Sequence, residues 1–283
     1  MKILVTGATG NVGGEVVKNL HNRGVEVRAL ARKPESVTFP EGVEVVPGDM
    51  TDPESIRAAV KGIDKLFLLN AVVADELTQA LITYGIAKQA GIRHVTYVSV
   101  YKADRFKDVP HFASKVAVED ALHEFGVPYT ILRPGYFFQN DLTLKPLLQQ
   151  AGIYPMPIGT TGISAIDSRD VSEAAAITLT EQGHEGQTYD LVSSSQIEGP
   201  GNAELWSKAL GKQIIYTGHD FDAWEKQMST MLPGWMAYDM RTMLQGYVER
   251  GFASTKADVD SVTELLGHSP RTYETFVQQT VSE

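Results

Sequence analysis

The chain has 283 residues, enough for one large domain or a core domain with a smaller appendage. Hydrophobic residues make up 43% and charged residues 21%, too apolar for a disordered chain, and the net charge of −10 opposes a nucleic-acid partner, which needs a surplus of Lys and Arg. Cysteine is absent, which removes disulfides, thiolate zinc sites and cysteine nucleophiles and fits a reducing compartment. The opening run Met1–Gly7 is too short for a signal peptide, and the most apolar stretch, Leu66 to Ala74, falls far below the ~20 residues of a membrane span. The expectation is a cytoplasmic chain that does not enter a membrane.

In chain order, Ile3 to Thr6 reads as a strand, and Val12, Val16, Val17 and Leu20 mark one face of a helix that ends at Gly24. Val25 to Ala31 and Val43 to Val46 are the next strands. Asp52-Pro53-Glu54 opens a helix with an N-cap residue followed by proline at the first helical position. Lys65 to Leu69 is a fourth strand, Glu76 to Ala90 a helix, His94 to Val98 a fifth strand, Phe112 to Phe125 a helix, and Tyr129 to Leu132 a sixth strand. Strands alternating with crossover helices predict an α/β fold of the Rossmann type, a doubly wound parallel sheet. After Arg133-Pro134-Gly135 the rhythm breaks. Ile163–Ile166, Ser168–Thr180 and Thr188–Val192 then read as strand, helix and strand returning to that sheet, and from Gly199 the chain is mostly helical. The predicted partition is 1–133 with 163–192 as a dinucleotide domain, and 134–162 with 193–283 as a smaller, mainly helical substrate or lid region.

Thr6, Gly7, Thr9, Gly10, Asn11, Val12 and Gly13 lie where the first strand turns into the first helix. Gly7 permits the tight turn, Gly10 lets a pyrophosphate approach the backbone, and Gly13 lets helix and strand pack closely. The helix N-terminus then offers N–H groups and a positive dipole end to phosphates. At the end of the second strand stand Arg32 and Lys33, with no carboxylate before Glu35. An Arg there pairs with a 2′-phosphate, so NADP, as NADPH, is expected over NAD; the alternative is a solvated loop start.

The spacing is GxxGxxG, and here the sequence resembles the short-chain dehydrogenase/reductase superfamily and, within it, the atypical NmrA-like branch. The segments TGATGNVGG, VRALARKP, VVPGDMTDPESI, HFASKVAVEDALHEFGVPYTILRPGYF and VTELLGHSPRTYETF match that branch in order and spacing. The branch holds reductases of quinones and dyes and also redox-sensing regulators without turnover. The resemblance implies adenine contacts at Asp49 and Met50, Asp49 being alternatively a cap residue leading into a helix, and a nicotinamide-side position at Asn70. It also places His111-Phe112-Ala113-Ser114-Lys115 where the superfamily carries Tyr-x-x-x-Lys on one helix face. Lys115 matches the family lysine, which holds the ribose. The tyrosine position holds His111.

Three readings of that departure stay open. His111 replaces the phenol as proton donor; Tyr101 or Tyr136, just past strands five and six, serves instead; or no protein acid is needed, a quinone or cationic dye taking its proton from water. The alternative for His111 is an ordinary residue at a helix start, and for Lys115 a surface lysine. Ser99, ending strand five, is a candidate substrate-polarising hydroxyl or a strand-end hydroxyl bonded to backbone. The run Tyr136-Phe137-Phe138 suits stacking on a flat, conjugated substrate or simple core packing. Met228, Met231, Met236, Met240 and Met243, with Trp224, Trp235 and Tyr238, read as a mobile lid, a core stripe or a dimer contact. No metal-ligand spacing occurs. The leading expectation is an NADPH-dependent reductase of a quinone-like or other aromatic, conjugated acceptor, with a homodimer as one option. Behind it stand a redox sensor with a protein partner, and an epimerase recycling tightly bound NAD, which Arg32 opposes.

Overall fold

The computed structural model describes residues 1–282. Its first half runs β1 (Lys2–Val5), α1 (Asn11–Asn22), β2 (Glu26–Ala31), β3 (Glu44–Pro47), α2 (Pro53–Ala59), β4 (Lys65–Leu68), α3 (Glu76–Gln89), β5 (His94–Val98), α4 (Pro110–Glu124) and β6 (Tyr129–Pro134). These are the elements the pattern predicts, with ends moved by a residue or two. The second half runs β7 (Tyr136–Phe137), β8 (Ile153–Tyr154), β9 (Ile163–Ile166), α5 (Ser168–Thr180), β10 (Gln187–Leu191), β11 (Gln196–Ile197), α6 (Gly199–Leu210), β12 (Ile215–Tyr216), α7 (Phe221–Met228), α8 (Gly234–Arg250), α9 (Lys256–Leu266) and α10 (Tyr273–Ser282).

Seven strands form the main sheet in the order β10-β6-β5-β4-β1-β2-β3. The pairings from β1 through β6 are all parallel. Helices cover parallel strands on both faces, which is why their runs are continuously apolar: Ile3, Leu4, Val5, Leu66, Phe67, Leu68 and Val95 are wholly buried. The order reverses beside β1, with β2 on one flank and β4 on the other, and this is the Rossmann switch point. Asp52 caps α2 as expected, its carboxylate accepting the Glu54 N–H at 3.0 Å.

One predicted strand goes elsewhere. β9 does not rejoin the main sheet; it pairs parallel with β7 and antiparallel with β11 in a separate three-stranded sheet. Gly135 makes this pairing possible, since a Cβ there would lie 2.7 Å from the Ser164 carbonyl oxygen. Only α5 and β10 of that segment return to the main sheet.

The chain divides into two compact units. One comprises Met1–Ala103, Ser114–Arg133 and Arg169–Tyr189 and holds β1 to β5 with α1 to α3. The other comprises Asp104–Ala113, Pro134–Ser168 and Asp190–Glu283 and holds the two small sheets with α6 to α10. Residues 104–113 and 163–168, which the sequence pattern groups with the dinucleotide domain, fall in this second unit. An aromatic cluster explains the first of these: Phe106 packs edge-on against Tyr247 and Phe252 at 5.5 and 5.6 Å between ring centres.

The second unit is organised around a buried carboxylate. Asp141, with no exposed surface, accepts the Tyr154 hydroxyl at 2.9 Å and that of Tyr273. Asn202 and the Trp206 indole bond those phenols in turn, at 3.0 and 2.9 Å, so α6, α10 and β8 share one network. Burial raises the Asp141 carboxyl to about 6, the tyrosine donors opposing that rise.

Candidate functional site

β1 ends in a turn that only glycine can make. Gly7 has φ +62, and the Gly10 N–H closes the turn onto its carbonyl at 3.0 Å. A Cβ on Gly13 would lie 2.2 Å from that same carbonyl, so the first turn of α1 presses directly on the loop. Gly10 caps α1 with extended backbone and no capping side chain, and no acidic residue stands in the first turn. The N–H groups of Asn11, Val12 and Gly13 therefore face their surroundings without a side-chain competitor, a cradle for phosphate oxygens. Thr6 departs from its expected part. Its buried hydroxyl takes the Leu69 N–H at 2.8 Å and bonds the carbonyls of Phe67 and Leu69, so it ties β1 to the exit of β4 instead of facing a ligand.

Beside this turn lies a cleft of about 320 Å³. Gly7, Thr9, Arg32, Asp49 and Met50 line it, together with Thr51, Leu69, Ala71, Asp75 and Gln79, which the sequence reading did not single out. Lys33 is exposed and lies outside the lining. The Arg32 guanidinium makes no hydrogen bond or ion pair among the described residues, which leaves its fork open to an anion. Asp49 accepts the Thr51 N–H and hydroxyl at 2.8 and 2.6 Å; these bonds, with the charge of Arg32, hold its carboxyl below the usual range.

The C-terminal edge of the main sheet carries two buried polar atoms without partners, and α4 adds a buried lysine. Leu68 of β4 and Tyr97 of β5 are paired in register, and Asn70 and Ser99 each stand two residues further along. The Asn70 amide reaches the Met50 sulfur at 3.8 Å, but its Oδ1 has no partner. The Ser99 N–H bonds the Leu132 carbonyl at 2.8 Å, while its Oγ has none, so it is not the backbone-bonded strand-end hydroxyl of the alternative reading. Lys115 is 7% exposed, not a surface lysine, and the contact recorded for its ammonium is the Tyr97 ring at 5.9 Å. Buried polar groups in folded proteins are nearly always satisfied, and a buried cation without a carboxylate is costly. These three side chains fit the hydroxyl and amide groups of a nicotinamide riboside.

Tyr101 is buried beyond β5, ahead of Lys102, the one non-glycine residue with positive φ (+54) among the described residues. Tyr136 is committed elsewhere. Its hydroxyl engages Asn140 and Asp141, and burial with the Asp141 charge raises the phenol well above its ordinary range, which disfavours it as an acid. His111 has a partner that the sequence did not announce. Its ring Nδ1 bonds Asp239 of α8, whose other oxygen accepts the His111 backbone N–H at 3.0 Å. Asp239 is wholly buried, and the two residues stand 128 positions apart. In the methionine-rich segment Trp224 is buried, whereas Met231, Trp235 and Tyr238 are exposed. No cluster of metal-ligating side chains occurs among the described residues.

The model of the NmrA-like family matches residues 1–277. The chain belongs to the NmrA-like family. Among the family's relatives, the NAD(P)H azoreductase of Xenophilus azovorans is 28% identical, the match covering 98% of this chain and 96% of that protein. The NADPH-dependent quinone oxidoreductase of Escherichia coli, solved with NADPH, superposes with a TM-score of 0.88 at 26% identity over 99% of each chain. The triphenylmethane reductase of Citrobacter sp., solved with NADP(H), gives 0.85 at 26% identity over 99% of each chain. The resemblance read from the glycine turn and the His-x-x-x-Lys segment is thus the family of the whole chain.

Of the residues missed by the sequence reading of this NmrA-like chain, Thr51 carried a signal: Asp49-Met50-Thr51 is an Asx-turn spacing that fixes the loop after β3. Asp239 carried none, since nothing in the order of residues pairs it with His111.

Proposed function

We propose that this chain is an NADPH-dependent reductase acting on a quinone-like or other conjugated, apolar acceptor. The observation that carries the proposal is the buried side chain of Lys115, without an ion pair among the described residues, in the unit that also holds the unpartnered Ser99 hydroxyl, the Asn70 carbonyl and the glycine turn. Three relatives matching nearly its full length support an NAD(P)H-dependent oxidoreductase and are named for an azo compound, a quinone and a triphenylmethane.

When bound, NADPH supplies a hydride. The N-terminal N–H groups of α1 hold the pyrophosphate. Arg32 pairs with the 2′-phosphate, an assignment supported by its open guanidinium on the cleft wall. Lys115 takes the hydroxyls of the nicotinamide-side ribose, Asn70 accepts a donor from the same end, and Ser99 donates to the acceptor's oxygen.

Cofactor preference tests the first half of this assignment. Titrating NADPH and NADH by fluorescence should show the wild type favouring NADPH, and Arg32→Ala losing roughly 10- to 100-fold of NADPH affinity while NADH affinity stays within about twofold. Equal affinity of the wild type for both nucleotides would remove Arg32 as the selecting residue.

A further inference from the structure

Asp239 belongs to no motif, yet it is a carboxylate without exposed surface whose hydrogen bonds, among the described residues, both come from His111. One of its oxygens accepts the His111 backbone N–H at 3.0 Å and the other faces the ring of the same residue. The His111 ring nitrogen facing it, Nδ1, must therefore carry its hydrogen, and proton exchange falls to Nε2. That atom has no partner among the described residues, and the side chain is 11% exposed. The segment carrying His111 is fastened to α8 a second time. Asp108 forms a two-point ion pair with Arg250, 2.9 Å at each oxygen, and the Arg250 guanidinium covers the Phe106 ring at 4.7 Å. Phe112 and Tyr247 close the wall around the pair, at 6.3 Å between ring centres. A buried carboxylate surrounded by aromatic rings is expensive unless its partner stays in place, so the imidazole is held at a fixed angle.

We infer that Asp239 is a positioning residue that keeps a hydrogen on Nδ1 of His111, so that the imidazolium gives up its Nε2 hydrogen to acceptors whose reduction consumes a proton and is left as the Nδ1–H tautomer. This rests on the reductase reading, and the chemistry of the acceptors separates the two. A quinone gains a hydride and a proton: two electrons enter, the nicotinamide is oxidised, and the second carbonyl oxygen takes its proton from Nε2 of the imidazolium. The neutral Nδ1–H imidazole that remains, still bonded to Asp239, regains its proton from solvent. A triarylmethyl cation gains a hydride alone; its central carbon forms one C–H bond and the positive charge disappears. Asp239 and His111 thus bear on the first reaction and not on the chemistry of the second.

The test compares menadione with malachite green, each with NADPH, in the wild type, Asp239→Asn and Asp239→Glu. An asparagine presents an amide donor to Nδ1 and favours the wrong tautomer. The ratio of menadione to dye kcat/KM is expected to fall about 100-fold in Asp239→Asn and to recover in part in Asp239→Glu. The dye reaction in the same sample absorbs any loss of folded protein. Equal losses on both acceptors overturn the role of Asp239, whereas a wild type that reduces neither overturns the reductase reading. A readout free of turnover is the ¹⁵N spectrum of His111 at alkaline pH, assigned by its absence in His111→Gln. The Nδ1–H tautomer is expected in the wild type, and an Nε2–H tautomer there overturns the inference.

Discussion

Lys115 is 7% exposed, with its amine 5.9 Å from the Tyr97 ring and no ion pair among the described residues. Such a group lowers stability in the free protein and is kept for what it later binds. Replacing it with methionine, close in length and apolar, separates the two effects. Lys115→Met is expected to raise stability by about 1 kcal/mol, read as a higher Tm, and to weaken NADPH at least tenfold. A lower Tm with unchanged NADPH affinity would show that the lysine is structural. The same scale shows how much of the site could be read in advance. Arg32 was singled out by its place at the end of the second strand, and Lys115 by the resemblance of its segment to the superfamily's Tyr-x-x-x-Lys. Thr6 and Tyr136 fitted the expected positions just as well, and both turn out to be held by neighbours that no local pattern displays, Leu69 in one case and Asp141 in the other. Position along the chain places a side chain near a site, while its hydrogen-bond partners decide whether it is available.

At the scale of elements, the phosphate cradle depends on α1 lying against its own loop. Gly13→Ala would put a Cβ 2.2 Å from the Gly7 carbonyl oxygen, a contact that backbone cannot absorb without moving the helix start. The expected cost is about 1–3 kcal/mol of stability together with a large loss of NADPH affinity. The neighbouring Gly14→Ala is a control. Its nearest atom is the Ala8 carbonyl oxygen at 3.4 Å, and alanine is the better helix former, so stability should hold or rise by about 0.5–1 kcal/mol with binding unchanged. Thermal unfolding with and without NADPH measures both, since a bound ligand raises Tm in proportion to its affinity. Equal behaviour of the two variants would contradict the close-packing argument. The predicted β-strands of the main sheet were legible because buried parallel strands need continuous apolar runs. β9 was legible as a strand but not by address, because Ile163–Ile166 is apolar enough for either sheet and its close approach to Gly135 joins residues far apart in sequence.

At the scale of the whole molecule, two buried groups set opposing responses to pH. Asp141 is raised to about 6, so it is protonated in the fold below that value. Its stabilising contribution is complete below the ordinary carboxylate value near 4 and is lost as pH rises through 6. His94, 2% exposed and bonded at Nε2 to Thr130 at 2.9 Å, is lowered to about 4 by burial and then by the nearby Lys65 charge. Its contribution is present above pH 6.5 and is lost as pH falls through 4. Each amounts to at most about 3 kcal/mol, and between pH 4 and 6 the two slopes have opposite sign. Urea unfolding at pH 6.5 and 4.5 should therefore show Asp141→Asn losing stability on acidification relative to the wild type, and His94→Asn gaining it. Parallel changes in the two variants would contradict the assignment. Neither group was visible in the sequence, because burial of a titrating side chain is a property of the finished fold.

The reductase assignment is tested most directly by following NADPH absorbance after adding menadione, an azo dye and malachite green to the purified protein. Acceptor-dependent oxidation of NADPH, faster than with NADH and lost in Lys115→Ala, is the predicted result. Tight NADPH binding with no oxidation by any of the three would contradict it and point to a protein that senses the nucleotide without turning it over.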